Sequence, residues 1–262
     1  MAFLPVGGYR EGSSLLHRAD ALCKLLAMLL LLTALILCDT FVGYVAVAAA
    51  LLLAVRISAI GMRTALRAVW HMRLFFVVIF LMNAFFHENG EALWSFWVLR
   101  LTREGMLFGM HVVLRVAMAI VLGQILCAVT SPLELIDAFT SLLYPLQFLC
   151  IPVQDIALIL GVAMQFIPIF SEEAEMIRRA QTARGARFDS KNLLEKAHSM
   201  LPLAVPIFLS AFRRADELSV AMEARGYRRR AGRIPRRKRS LSAVDYLLLF
   251  VGAFLLGLSF IL

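Results

Sequence analysis

The chain has 262 residues, of which 61% are hydrophobic and only 17% charged, and its mean hydropathy is +0.81. Soluble domains are about half apolar and about a quarter charged, so this composition excludes an ordinary soluble domain and points to a membrane protein. Lys and Arg number 27 against 18 Asp and Glu, a net charge of +9 that cation-rich cytoplasmic loops explain before nucleic acid need be invoked.

In chain order, residues 1–21 are a polar lead-in with Gly7-Gly8 and Ser13-Ser14 ahead of Leu15-Leu16-His17-Arg18. They lack the basic, apolar and cleavage-site order of a signal peptide, so the apolar run Leu22–Cys38 reads as a retained transmembrane helix. Asp39-Thr40 makes a short turn into a second run, Phe41–Val55. Arg56, Arg63, Arg67 and Arg73 then cluster in what reads as one loop, with Trp70 placed like an interfacial aromatic. The third run, Leu74–Phe86, is short for a span and must borrow from Ala65–Trp70 or cross where the bilayer is thin. The connection His87–Glu104 carries Glu88, Glu91 and Glu104, and Trp94, Phe96 and Trp97 suit a headgroup-level belt. Met106–Val129 and Leu241–Leu262 complete five spans.

The basic residues set the orientation. Arg10, Arg18 and Lys24, the four arginines of the second connection, and the segment after Val129 hold most of them, so the amino terminus and that segment are expected in the cytoplasm and the carboxyl end outside. Leu142–Phe170 is apolar, but Pro145, Pro152 and Pro168 interrupt it, and Gln154, Asp155 and Gln165 are costly in lipid. It reads as buried or interfacial helices, with a re-entrant pair involving Leu201–Phe212 as the alternative. The predicted architecture is an all-α membrane protein: residues 1–130 with the lead-in and four spans, 131–240 a cytoplasmic arm of about three helices, and 241–262 the last span.

Within the arm, Ser131-Pro132-Leu133-Glu134 is a helix start, and a short helix to about Leu143 follows. A second helix is predicted from near Pro152 to Ala183, kinked or broken at Pro168, and a third from Pro202 or Pro206 to Ala224. Both close on one repeated pattern, Ala180-Gln181-Thr182-Ala183-Arg184-Gly185 and Ala221-Met222-Glu223-Ala224-Arg225-Gly226. Gly185 and Gly226 fit the left-handed position that ends a helix. Arg184 and Arg225 would complement the negative helix end and offer a forked donor set, and Ala183 and Ala224 keep the neck thin enough to enter a groove.

Other polar groups have plainer readings. Glu172, Glu173 and Glu175 precede Arg178, Arg179 and Arg184 at helical spacings, and intrahelical pairing is the plain reading. Arg228-Arg229-Arg230, Arg233 and Arg236-Arg237-Lys238-Arg239 suit anchoring to anionic headgroups. Arg115, a cation inside the fourth span with His111 a turn away, is a functional candidate that a local partner or snorkelling explains first. Asp155 and Glu134 suit helix caps or pairing with the arm. Cys23, Cys38, Cys127 and Cys150 are dispersed apolar fillers without metal-type spacing. No phosphate-binding G-x-x-x-x-G-K-[ST] loop, metal set or catalytic constellation occurs in the sequence.

The runs from Phe166-Ile167-Pro168 to Gly185 and from Arg214-Ala215-Asp216-Glu217-Leu218 to Tyr227 resemble the transmembrane T component of energy-coupling factor transporters, the family that includes the cobalt and biotin system members. Ser14-Leu15-Leu16-His17-Arg18-Ala19-Asp20 with Lys24 is similar to the family's opening signature, and Pro132-Leu133-Glu134-Leu135 to its first cytoplasmic helix. Ala19, Ala21 and Gln165 depart from the family's usual Leu, Pro and Arg. The resemblance implies a non-catalytic coupling subunit of an ATP-driven vitamin or metal-ion importer in a prokaryotic cell membrane. Its partners would be two ATPase subunits, alike or different, which bind the ATP and Mg, and a membrane-embedded substrate-capture (S) component. It makes Ala183, Arg184, Gly185, Ala224, Arg225 and Gly226 the ATPase-coupling residues. The rival classes, a polytopic membrane enzyme and a stand-alone carrier, need a polar cluster at one membrane depth, and the spans offer only Arg115, Asn83 and Gln124.

Overall fold

A computed structural model describes residues 9, 12, 14–38, 40–58, 61–86, 92–96, 99–149, 151–186, 188, 193–227 and 241–261. The basic run at 228–239, Asp39, Cys150, Glu88, Glu91 and Trp97 lie outside them, as do the side chains of Arg63, Trp94 and Phe96. Ten α-helices are described. They are α1 (Leu15–Arg18), α2 (Ala21–Leu37), α3 (Phe41–Ile57), α4 (Met62–His71), α5 (Arg73–Phe86), α6 (Arg103–Val129), α7 (Pro132–Leu142), α8 (Val153–Ala183), α9 (Leu193–Ala224) and α10 (Ala243–Ile261). A 3-10 turn at Tyr144–Leu149 precedes α8. The one departure from helix among the described residues is an antiparallel hairpin, β1 (Ala92–Phe96) and β2 (Leu99–Thr102), where the sequence reads as a plain connection.

The starts of these helices are written in capping residues. Asp20 is extended and its carboxylate accepts from the Leu22 amide at 2.8 Å, opening α2. Thr102 Oγ1 accepts from the Gly105 amide at 3.0 Å to open α6. At α7 the expected start is a reciprocal box: Ser131 Oγ accepts from the Glu134 amide at 3.3 Å, and Glu134 Oε2 accepts from the Ser131 amide at 3.2 Å.

The chain divides into two compact units, residues 1–142 with 239–262, and residues 143–238. In the first, α2 packs against α10, α6 and α7, and α6 packs against α5, α4 and α3. Leu35, Tyr44, Val47, Leu51 and Val55 meet Met118, Leu122, Ile125 and Val129 in its core. The α5–α6 contact is a backbone approach through small residues. A Cβ on Gly105 would lie 2.9 Å from the Asn83 carbonyl oxygen, and one on Gly109 3.2 Å from that of Phe80. The second unit consists of α8 and α9 with the 3-10 turn.

Among the described residues three helices are long and apolar enough to cross a membrane: α6, α8 and α10. The other predicted spans form the shorter apolar helices α2, α3 and α5. Large apolar side chains on their outer faces, Phe41, Leu53, Leu74, Phe250 and Phe260 among them, are exposed, as lipid-facing surfaces are.

Three local expectations are corrected. The connection holding Arg63 and Arg67 is a helix, α4, which ends at Met72, so α5 does not borrow from it. Helix α8 is not broken at Pro168, because a single proline removes one bond, to the Met164 carbonyl, from a helix of 31 residues. Helix α9 starts at Leu193 rather than at Pro202 or Pro206, both of which lie inside it. The good helix formers Leu193-Leu194-Glu195-Lys196-Ala197 extend it upstream past those prolines.

Candidate coupling tips

Helices α8 and α9 end in the same way, bond for bond. At the first, the Gly185 amide donates to the Thr182 carbonyl at 3.0 Å and the Ala186 amide donates to the Gln181 carbonyl at 3.0 Å. At the second, the Gly226 amide donates to Glu223 at 2.9 Å and the Tyr227 amide to Met222 at 3.0 Å. These are two complete Schellman closures, with the glycines left-handed at φ +93° and +72°. A Cβ there would meet no neighbour, so the demand for glycine comes from the backbone conformation alone.

Arg184 and Arg225 therefore occupy the C-cap positions, where a cation faces the helix's partial negative charge. Ala183, Arg184, Gly185, Ala224, Arg225 and Gly226 are all exposed. Among the described residues neither guanidinium of the pair has an acidic partner. The charge just upstream is already matched. Glu175 and Arg179 form the expected intrahelical pair at 3.1 Å, whereas Glu173 reaches across to Arg214 of α9 at 3.9 Å.

Two contacts fix the sense of the helix pair. Glu173 and Arg214 bring their middles together, and the Tyr227 hydroxyl lies 3.5 Å from Asp155 Oδ1, placing the end of α9 beside the start of α8. The helices thus run in opposite directions and their Arg-Gly tips lie at opposite ends of the pair. From Asp155 to Arg184 is 29 residues of α8, so the tips are on the order of 40 Å apart. Apolar stripes stay exposed between them: Ile156, Leu160 and Ile167 on α8, and Val205, Phe208 and Phe212 on α9.

In the other unit, Arg115 has the local partners expected of it. Its Nη2 donates to the Cys38 carbonyl at 2.8 Å and to the Tyr44 hydroxyl at 2.9 Å, and the guanidinium stands 6.0 Å from the Tyr44 ring centroid. The opening signature acquires a physical meaning. Buried Lys24 donates from Nζ to the carbonyls of His17 at 3.1 Å and Val129 at 3.2 Å. Buried Asp245, missed in the sequence, accepts from the amides of Asp20 at 2.8 Å and Ser242 at 2.7 Å. The pattern Ser242-x-x-Asp245 before an apolar run was the signal that could have found it.

Fold and tips define a class: a polytopic helical membrane protein that carries a pair of long helices closed by matched cationic ends. Residues 12–235 match the CbiQ family model, described as cobalt transport protein. The chain is 38% identical over 233 residues to the energy-coupling factor transporter transmembrane protein EcfT of Brevibacillus brevis, covering 88% of this chain and 87% of that one. It is 35% identical over 246 residues to EcfT of Ruminiclostridium cellulolyticum, covering 93% and 91%. With EcfT of Listeria innocua it shares 33% over 255 residues, 97% and 96% of the two chains. The chain belongs to this family, the membrane-embedded T components of energy-coupling factor transporters.

Proposed function

We propose that this subunit couples ATP hydrolysis by partner ATPases to the uptake of a vitamin or metal ion, catalysing nothing itself. Helices α2, α3, α5, α6 and α10 are the five spans, with the amino terminus cytoplasmic and the carboxyl end outside, and α7, α8 and α9 are the cytoplasmic coupling helices. Ala183-Arg184-Gly185 and Ala224-Arg225-Gly226 seat in grooves of two ATPase subunits, which bind the ATP and Mg. The apolar stripes of α8 and α9 grip a membrane-embedded S component. The observation that carries this reading is the identity of the two Schellman closures, each presenting an exposed arginine at a thin alanine neck. A closing ATPase pair would pull on both ends of the antiparallel pair and turn the stripes between them, a rigid-body transmission across interfaces.

Helix α8 has the length and apolarity of a sixth span, which would put the tips on opposite sides of the bilayer. Its pairing argues against that reading. The contacts at Asp155–Tyr227 and Glu173–Arg214 set its apolar first half beside Arg214, Asp216, Glu217, Glu223 and Arg225 of α9. Charges at that depth are strongly disfavoured in hydrocarbon, whereas a pair lying along the cytoplasmic face keeps them wet. The test is uptake by the assembled transporter carrying Arg184→Ala and Arg225→Ala. The double variant should insert normally and lose ATP-driven uptake, and full uptake would overturn the coupling role.

A further inference from the structure

Helix α4 has no part in the coupling reading, yet its sequence is sharply two-faced. At helical spacing Met62, Leu66, Val69 and Trp70 share one side, Thr64, Arg67 and His71 fall on the other, and Arg63 stands at the border, seven residues before Trp70. Arg56 and Arg73 flank it, and no acidic residue occurs between Asp39 and Glu88. The apolar side is not consumed by the fold: Leu66 is 56% and Trp70 67% exposed. The Arg73 guanidinium stands 5.4 Å from the Trp70 ring centroid, so an aromatic and a cation meet at the border of the two faces.

Helix α4 is also tied to α6 near the end of that helix. Gln124 Nε2 of α6 donates to the Thr64 carbonyl at 3.0 Å, six residues before the α6 cap at Thr130, roughly 9 Å below that helix end. An in-plane amphipathic helix settles about 5–10 Å into the boundary between headgroups and acyl chains. The helices before and after it, α3 and α5, are both apolar.

We propose that α4 is an interfacial helix that binds the anionic headgroups of the inner leaflet, with Leu66 and Trp70 in the acyl boundary and Arg56, Arg67 and Arg73 paired with lipid phosphates. A second copy of the chain or a protein partner fits the site less well, because an uninterrupted set of cations beside an exposed apolar stripe complements a charged lipid surface. The site rests on the chain being a membrane protein and on the proposed orientation, which puts α4 on the cytoplasmic side, and is independent of the coupling role.

The test uses the full-length chain in bilayers, with Trp94→Phe and Trp97→Phe leaving Trp70 as the one indole of the three. Brominated phosphatidylglycerol and brominated phosphatidylcholine, added separately at equal mole fraction, report which lipid lies against the ring. Phosphatidylglycerol should quench roughly two-fold more strongly or better. Arg56→Gln with Arg67→Gln should weaken that preference while quenching by phosphatidylcholine persists. Equal quenching by the two lipids, quenching by neither, or a preference undiminished in the double variant would each overturn the proposal.

Discussion

The Arg115 guanidinium closes a distance of 77 residues to the Cys38 carbonyl, which it meets at 2.8 Å just beyond the end of α2. The same nitrogen donates to the Tyr44 hydroxyl, so one cation pins the turn between α2 and α3 to the middle of α6. A helix-end carbonyl buried without a donor is unfavourable by about 1–3 kcal/mol, and more where a charge is involved.

Arg115→Leu should therefore lower the thermal midpoint of the purified protein, and Tyr44→Phe should lower it less, because the Cys38 bond survives. Arg115→Lys should fall between Leu and the parent, since an ammonium keeps the cation and its donors but loses the planar guanidinium that stands by the Tyr44 ring. Scanning unfolding in detergent reads all three. A Leu variant as stable as the parent would show that the bridge contributes nothing.

Gly185→Ala and Gly226→Ala place a Cβ on a left-handed residue, which is unfavourable by roughly 1–2 kcal/mol. Each should fray its own tip and leave the rest of the chain unchanged. Hydrogen exchange at the Ala186 and Tyr227 amides, which close the two motifs, should rise about ten-fold or more in the corresponding variant. Asn in place of either glycine should have a smaller effect, because its short side chain tolerates this conformation better. Unchanged exchange in the alanine variants would mean that the closures do not depend on glycine.

These closures were legible because two local signals agree: good helix formers, then a residue without a Cβ. The apolar helices were legible for the same reason, as hydropathy is a local sum. Pro168, Pro202 and Pro206 misled because each reports one missing bond, while the stability of a helix of 31 or 32 residues is spread over all its turns. Helix α4 was hidden by its arginines, which read as a loop until the spacing of Met62, Leu66, Val69 and Trp70 is laid on a 3.6-residue period. The Lys24–Val129 bond joins residues 105 apart, and no local pattern could announce it.

That bond belongs to a buried polar knot. Lys24 ties the end of α1 to the end of α6, while Asp245 ties the start of α10 to the turn at Asp20. The charges of Asp20, Asp245 and Glu134 all act on Lys24. Removing one partner of a buried charged set typically destabilises by about 3–5 kcal/mol, because the remaining charges lose their compensation. Lys24→Met should thus be more damaging than its loss of two hydrogen bonds implies. Lys24→Met combined with Asp245→Asn should be less damaging than the sum of the two. A double-mutant cycle on thermal stability measures that coupling, and strict additivity would show that the two groups act independently.

The antiparallel sense of α8 and α9 makes a geometric demand on any coupling mechanism. Because Tyr227 sits at Asp155 while Arg184 lies at the far end of α8, the arginines cannot share one groove. Spin labels at Arg184→Cys and Arg225→Cys, in a chain whose four native cysteines are replaced by alanine, should give a dipolar distance centred on the order of 40 Å. Both labels should be reduced by an impermeant agent supplied from the cytoplasmic side and protected from one supplied outside. A distance below about 25 Å would contradict the antiparallel pair, since it leaves no room for some 29 residues of intervening helix. Protection of one label from the cytoplasmic reagent would instead make α8 a sixth span and separate the tips by the bilayer. Two ATPases held side by side on one membrane face could not then reach both.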